Sequence, residues 1–424
     1  MSPYVKLCTL TTGHSDSVNC LAFSPCGSYL VSGGDDSALI IWRVSDGAML
    51  YSLEFKSAVT AVLWHPLLKD AVVLGCRDGV VLRAKDFDLT HFSGKRINLG
   101  VAAPVHCLDF DRFRKQLAIG IGHVVRITKE GLDGNFERSF KLPEPEGRVS
   151  AITAADDHVI RSRSLHFHEE GRMLIVTYLN HGIVAWNVDE QTQVWYISPT
   201  PEAPQLGGSS INLDKSLLIA HTFHSGLYMY LLGQTAPTRV LPYNGNQENR
   251  HTLAVAFVHS GAAVVSGADD GDVCIWRTQD GSLFQVLSHG GDLIQAIATF
   301  EGASSYIASG SALTGQNTYI NIWRAQIHHL RSTSKDVHMA PVANHRRFPE
   351  LNRRSIVFAV FLGMCAFYMR FLLGGDSTWI TLRSLFQLVL LVVESIRRSL
   401  EVAEQCLMQW YTWVFSESPG PRLP

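Results

Sequence analysis

The chain has 424 residues, enough for two to four ordinary domains of roughly 100 to 200 residues each or for one large repeat array, and long enough to bury a core without disulfides or metal. Charged residues are 17% of the chain, against about 25% in an average soluble protein, and hydrophobic residues are 46%, so the chain is neither disordered nor highly charged. With 36 Lys and Arg against 38 Asp and Glu, the net charge of -2 supplies no field for polyanions and argues against nucleic-acid binding as the main activity.

The part before Leu330 is mildly acidic and the part after it mildly basic. Eight cysteines are scattered without a Cys-x-x-Cys pair, which points to small buried hydrophobes, with no zinc site or disulfide ladder and no cofactor. The opening residues MSPYVKLCTLTTGHSD lack the apolar core of a signal peptide, and the chain has no Asn-x-Ser/Thr sequon. Both features suggest a cytosolic front part.

From Gly13 to Leu50, three alternating apolar runs are separated by Ser-Pro-Cys-Gly, Gly-Gly-Asp-Asp and Ser-Asp-Gly, which predicts a small antiparallel meander. Ala254 to Leu287 repeats the string with the same Val-Ser-Gly, Asp-Asp and Ile-Trp-Arg order, so the chain contains an internal repeat. Here the sequence resembles the WD-repeat family, whose units carry a Gly-His, a Ser-Gly ahead of an Asp turn and a Trp closing the third strand.

Positions equivalent to that Trp fall at Trp42, Ala84, Thr128, Trp186, Tyr230, Trp276 and Trp323, roughly 42 to 58 residues apart against about 40 to 45 per blade in the family. They predict an all-β fold, a seven-bladed β-propeller over residues 1–330. In the second unit Asp78 precedes Ala84 by the same interval as Asp36 precedes Trp42. The widest interval holds KLPEPEGRVS, an expected surface excursion available to a partner. The last unit turns polar at His328 without a fourth strand, so Tyr4 to Leu10 is expected to close it from the front of the chain.

The resemblance implies a buried structural tetrad at His14, Ser32, Asp36 and Trp42, in which the imidazole links a carboxylate to a hydroxyl that reaches the indole. Ser266, Asp270 and Trp276 match the pattern in the sixth unit without a Gly-His, and the seventh has Ser309 and Trp323 with Asn317 in place of Asp. These groups read as structural, since buried donors and acceptors need partners. Neither Cys26 nor the pair His328-His329 has a second ligand cluster or an orienting base at useful spacing, and no phosphate-loop, zinc-hydrolase or serine-hydrolase signature occurs. No catalytic residue is assigned. The resemblance also implies protein or peptide partners on the face carrying the Asp turns, where Ser17, Asn19, Asp35 and Asp269 fit; as single residues they are equally ordinary turn positions.

Residues 331–355 read as a basic linker ending in Arg353 and Arg354. Residues 356–374, apolar apart from Arg370, read as a transmembrane helix flanked by those arginines. A second apolar helix, span or interfacial, is expected at 378–393, and an amphipathic helix at 394–415. The combined expectation is a non-catalytic interaction scaffold whose propeller faces the cytosol from an intracellular membrane, the endoplasmic reticulum or nuclear envelope, with a cytoplasmic location as the alternative. Two alternative functions share this layout: a guanine-nucleotide exchange factor for a small GTPase at the endoplasmic reticulum membrane, and a soluble scaffold or substrate receptor whose apolar tail a partner buries.

Overall fold

A computed structural model describes residues 1–326 apart from 86–92, 132, 138, 146–158, 199, 201–204, 215, 224, 243–250 and 313–317. Strand β1 (Val5–Leu10) precedes the first blade, which is formed by β2 (Val18–Phe23), β3 (Tyr29–Gly34), β4 (Ala38–Arg43) and β5 (Met49–Glu54). Blade 2 holds β6 (Val59–Trp64), β7 (Val72–Cys76), β8 (Val81–Lys85) and β9 (Ser93–Ile97). Blade 3 holds β10 (Val105–Asp111), β11 (Gln116–Ile121), β12 (Val124–Lys129) and β13 (Phe140–Lys141). Blade 4 holds β14 (Ser162–His168), β15 (Met173–Tyr178), β16 (Ile183–Asn187) and β17 (Thr192–Ile197). Blade 5 holds β18 (Leu206–Ile211), β19 (Leu217–Thr222), β20 (Gly226–Leu231) and β21 (Arg239–Leu241). Blade 6 holds β22 (Val255–Val258), β23 (Ala263–Gly267), β24 (Asp272–Arg277) and β25 (Leu283–Ser288). Blade 7 supplies β26 (Ile294–Glu301), β27 (Ser304–Ser311) and β28 (Ile320–Gln326).

Each blade is a four-stranded antiparallel meander, so the fold is an all-β propeller of seven blades. Every residue of the Trp series, from Trp42 to Trp323, stands on the third strand of its blade. Among the described residues the regular elements are strands and one 3-10 turn, Glu169–Gly171, and no helix is long and apolar enough to cross a membrane. The expected helices at 356–374, 378–393 and 394–415, the linker at 331–355, the residues Arg353, Arg354 and Arg370, and the pair His328-His329 lie outside the described residues. So do residues 146–150 of the expected KLPEPEGRVS excursion, whose first residue, Lys141, belongs to β13.

The core lies in the seams. Seven apolar clusters each fill one blade-to-blade contact, and the one between blades 7 and 1 joins Leu10, Val18, Leu21, Ile40 and Trp42 to Ala296, Ala308 and Ile322. The Ser-Gly step of the repeat has a steric reason. A Cβ on Gly33 would stand 2.5 Å from Val59 Cγ1 of the next inner strand, and one on Gly310 would stand 2.7 Å from Val18 Cγ1. Glycine on the second strand lets the neighbouring inner strand approach, and Gly75, Gly120 and Gly267 occupy the same place in their blades.

Blade 7 is completed by the other end of the chain. Strand β1 pairs with β28 from Val5 opposite Arg324 to Leu10 opposite Ile320. The Gln285 side chain clamps Tyr4, accepting from its amide at 2.8 Å and donating to its carbonyl at 2.8 Å, and the Tyr4 hydroxyl meets Ser305 Oγ at 2.5 Å. Tyr4 is buried among the apolar side chains of the blade 6 and 7 seam.

One charged cluster is buried between blades 2 and 3. Glu130 accepts from Arg83 and, at 3.0 Å, from His65 Nε2. The Leu67 amide donates to His65 Nδ1 at 3.2 Å, which leaves the imidazole neutral with its proton on Nε2. Burial lowers the His65 pKa below the ordinary imidazole range even against Glu130, and burial brings His221 and His289 down to about 4.

Two outcomes are expected. Tyr4→Ala removes a buried aromatic anchor and should cost about 3 kcal/mol or more, whereas Val5→Ala, on the exposed side of the same strand, should change stability by less than about 0.5 kcal/mol; thermal unfolding of the two variants distinguishes them. The unfolded chain protonates its histidines as the pH falls through about 6.5, while the folded chain keeps these imidazoles neutral to lower pH. The stability they contribute is present above about pH 6.5 and is lost toward about pH 4, so Tm should be level at neutral pH and drop across that window. The buried His221 carries up to about 3 kcal/mol of this dependence, and His221→Gln should flatten the profile.

Candidate functional site

The turn before β2 and the second and third strands of blade 1 bring His14, Ser32, Asp36 and Trp42 together. His14 Nδ1 lies 2.9 Å from Asp36 Oδ2 and its Nε2 lies 2.7 Å from Ser32 Oγ, while Trp42 Nε1 donates to Ser32 Oγ at 2.8 Å. Burial alone would raise the Asp36 carboxyl, but His14 and the amides of Ser15 and Ala38 outweigh it and hold the group below its ordinary value. Every polar side-chain atom of these four residues has a partner inside the blade, which suits a clasp that fixes the turn before β2 against β3 and β4.

The sixth blade does not repeat this clasp. Ser266 Oγ donates to the carbonyls of Gly267 at 3.1 Å and Ala254 at 3.3 Å, Trp276 Nε1 is buried without a hydrogen-bond partner, and Asp270 accepts from the Asp272 amide at 3.1 Å. With no histidine among the described residues placed to orient it, the serine hydroxyl turns to the main chain. Blade 7 assembles three of the four members: His289 Nδ1 lies 2.9 Å from Ser309 Oγ, which accepts from Trp323 Nε1 at 2.9 Å, while His289 Nε2 is buried without a partner and Asn317 lies outside the described residues. His289 was legible in principle as a Ser-His-Gly at 288–290 ahead of Ser309, two residues farther from its serine than His14 is from Ser32.

A second arrangement lines the central channel. In six blades the innermost strand shifts register one residue after it begins, and the extra residue there is Asn19, Thr60, His106, Arg163, the pair Gly207-Gly208, or Gln295. A bulge leaves its residue out of the ladder and re-aims the side chain, here toward the axis. All of these except Gly207 line a polar cavity of about 530 Å3 at the mouth of the channel, together with Arg77, Ser164 and Ser209.

Most of them are engaged in stitching blades together. Asn19 Nδ2 donates to Val59 O at 3.2 Å, Thr60 Oγ1 to Val105 O at 2.6 Å and Gln295 Nε2 to Val18 O at 3.0 Å, each reaching the first residue of the next inner strand. Main-chain bonds from Gly208 to Leu253 O and from Ala254 to Gln295 O, both 3.2 Å, continue the ring through blades 5, 6 and 7.

Of the four residues expected on the partner face, three stand in this network. Ser17 donates to Ala312 O at 2.6 Å, and Asp35 Oδ1 accepts from Asn19 at 2.7 Å and from Arg77 at 2.6 Å. Asp269 is half-buried in the turn between β23 and β24. Cys26 is exposed in the turn after β2, where burial would raise its pKa but Ser24 and Ser28 lower it; no imidazole stands within hydrogen-bond reach of it among the described residues.

The WD domain, G-beta repeat profile matches residues 5–43 and 239–277. These are WD40 repeats. Each match begins on the outer strand of one blade, β1 or β21, and continues through the three inner strands of the next, so the repeat in sequence is offset by one strand from the blade in space. Ribosome biogenesis protein bop1-A of Xenopus laevis is 39% identical over 70 residues, 16% of this chain and 10% of that protein. Ribosome biogenesis protein ERB1 of Ajellomyces capsulatus is 38% identical over 177 residues, 40% of this chain and 20% of that protein. WD repeat-containing protein 26 homolog of Arabidopsis thaliana is 26% identical over 283 residues, 64% of this chain and 43% of that protein. The chain thus spans only 10% to 20% of the length of these ribosome biogenesis relatives.

These names correct one expectation. A propeller anchored at an intracellular membrane does not fit relatives named for ribosome biogenesis, and no membrane-crossing helix is found among the described residues. An apolar run of suitable length is a necessary property of a span and not a sufficient one, since a buried segment has the same composition.

The two serines separate the clasp from its imitation. Ser32→Ala strands the buried His14 Nε2 and Trp42 Nε1 and should cost about 2 kcal/mol or more, whereas Ser266→Ala, which only releases two carbonyl contacts, should cost about 1 kcal/mol or less; denaturant unfolding of both variants checks the order.

Proposed function

We propose that this protein is a non-catalytic interaction scaffold that holds protein partners on the channel-mouth face of its propeller. The observation that carries this reading is the closed ring of seven blades bearing WD40 repeats, in which the His-Ser-Trp-Asp cluster of blade 1 is consumed in bonds within its own blade. What such a ring presents to solvent is a rigid circle of turns around a polar cavity, a surface suited to grip a segment of another chain. The relatives named for ribosome biogenesis support a setting in a large assembly of that kind.

Sedimentation of the full chain from cells that express it tests the reading. The protein is expected in fast-sedimenting fractions together with precursor ribosomal particles, and its depletion is expected to slow maturation of pulse-labelled ribosomal RNA. Recovery of the chain solely at the position of a free monomer, with unchanged RNA maturation, would count decisively against it.

A further inference from the structure

Around the channel, two bulge residues, His106 and Arg163, make no hydrogen bond across a seam among the described residues, and Arg163 is the charged one. Asn19, Thr60 and Gln295 each donate across a seam, and the glycine pair has no side chain to offer. Arg163 makes no hydrogen bond or ion pair among the described residues, and its Nε is shielded from solvent without a partner. Its titratable neighbours are the Cys107 thiol, which burial keeps protonated, and Arg161 two residues earlier, of the same sign. Burial lowers the pKa of His106, in the equivalent place on blade 3, to about 4, and Arg163 and Arg161 add to that shift. The other arginine of the mouth, Arg77, is already matched by Asp35 at 2.6 Å. One arc of the cavity, on blades 3 and 4, therefore carries positive charge that the described residues leave uncompensated, at a cost that a ligand of opposite charge would relieve.

Resting on the scaffold reading, we propose that Arg163, with Arg161 beside it, seats an oxyanion, a carboxylate or phosphate borne by a short extended segment of a partner protein that enters the channel mouth. The cavity of about 530 Å3 falls in the range of about 300 to 1,000 Å3 of ligand sites. A continuous polyanion such as RNA fits less well, because Asp16, Asp269 and Asp270 stand in half-buried or exposed turns and would repel it. An acidic side chain delivered to one arc avoids them.

The test uses the full-length chain and labelled Gly-Ser peptides bearing three glutamates, three phosphoserines or three lysines, with binding read by fluorescence anisotropy. Binding of an acidic peptide, but not the lysine peptide, is expected, and whichever acidic form binds more tightly identifies the oxyanion. Arg163→Gln should weaken it by about ten-fold or more, Arg163→Lys less, and Arg43→Gln, an exposed arginine paired with Asp46, not at all. Phenylglyoxal modification of the unaltered chain, followed by mass spectrometry, gives a readout independent of any variant: Arg163 should react in the free protein and be protected by the acidic peptide. Equal affinity in a folded Arg163→Gln variant, no binding of either acidic peptide, or an Arg163 that is unreactive when free or unprotected when the peptide is present overturns the proposal. If the chain still sediments with a large assembly, this site alone fails and the scaffold reading survives.

Discussion

Ring closure is the constraint on which the rest of this structure depends. A blade is an open antiparallel sheet with apolar residues on both faces, and it is stable only when each face is covered by a neighbour. Seven blades satisfy this without a free end only if the last meets the first, and here the meeting is made by strands from opposite ends of the propeller, β1 and β28. The seam between blades 7 and 1 then becomes an apolar cluster like the other six. Tyr4 and Gln285 fix where β1 begins, and Leu10 fixes where it enters the seam.

Closure also explains how polar groups are distributed. Because the strands converge on an axis, the inner strand of each blade has a side chain pointing at the channel, and those groups cannot be buried in apolar packing. The bulges make that residue an extra one, so the two faces of the strand keep their alternation while the axis receives Asn, Thr, His, Arg or Gln. Three of these turn the requirement to use, bonding the carbonyl that opens the next blade. The low charge content of the sequence has the same origin: seven seams of valine, isoleucine and leucine leave charged side chains to the turns and outer strands.

Much of this was legible beforehand, and the limits are instructive. The Val-Ser-Gly, Asp-Asp and Ile-Trp-Arg order at two places, with the interval between successive Trp positions, located all seven third strands, including Ala84 and Thr128 where no Trp stands. Tyr4 to Leu10 was readable as an outer strand because the final unit lacked one. The clasp was harder. Ser266 and Trp276 match Ser32 and Trp42 residue for residue, yet the bond between them forms only where a histidine arrives from the preceding turn. His289 performs that role for Ser309 and Trp323 at a spacing stretched by two residues. The apolar run after Ile356 suggested a membrane, but hydrophobic length measures the need for burial without naming what does the burying.

The amino-acid sequence by itself determined the class of fold and the number of blades, since period-2 alternation and turn chemistry are local properties repeated along the chain. It also determined which strands would need closing. Only the tertiary structure decided which polar residues meet: that Asn19 reaches Val59, that Gln295 reaches Val18, and that Arg163 meets no acid among the described residues. Those outcomes depend on the bulge position within each inner strand and on the distance to the adjoining blade, and both are set by packing between segments far apart in the chain.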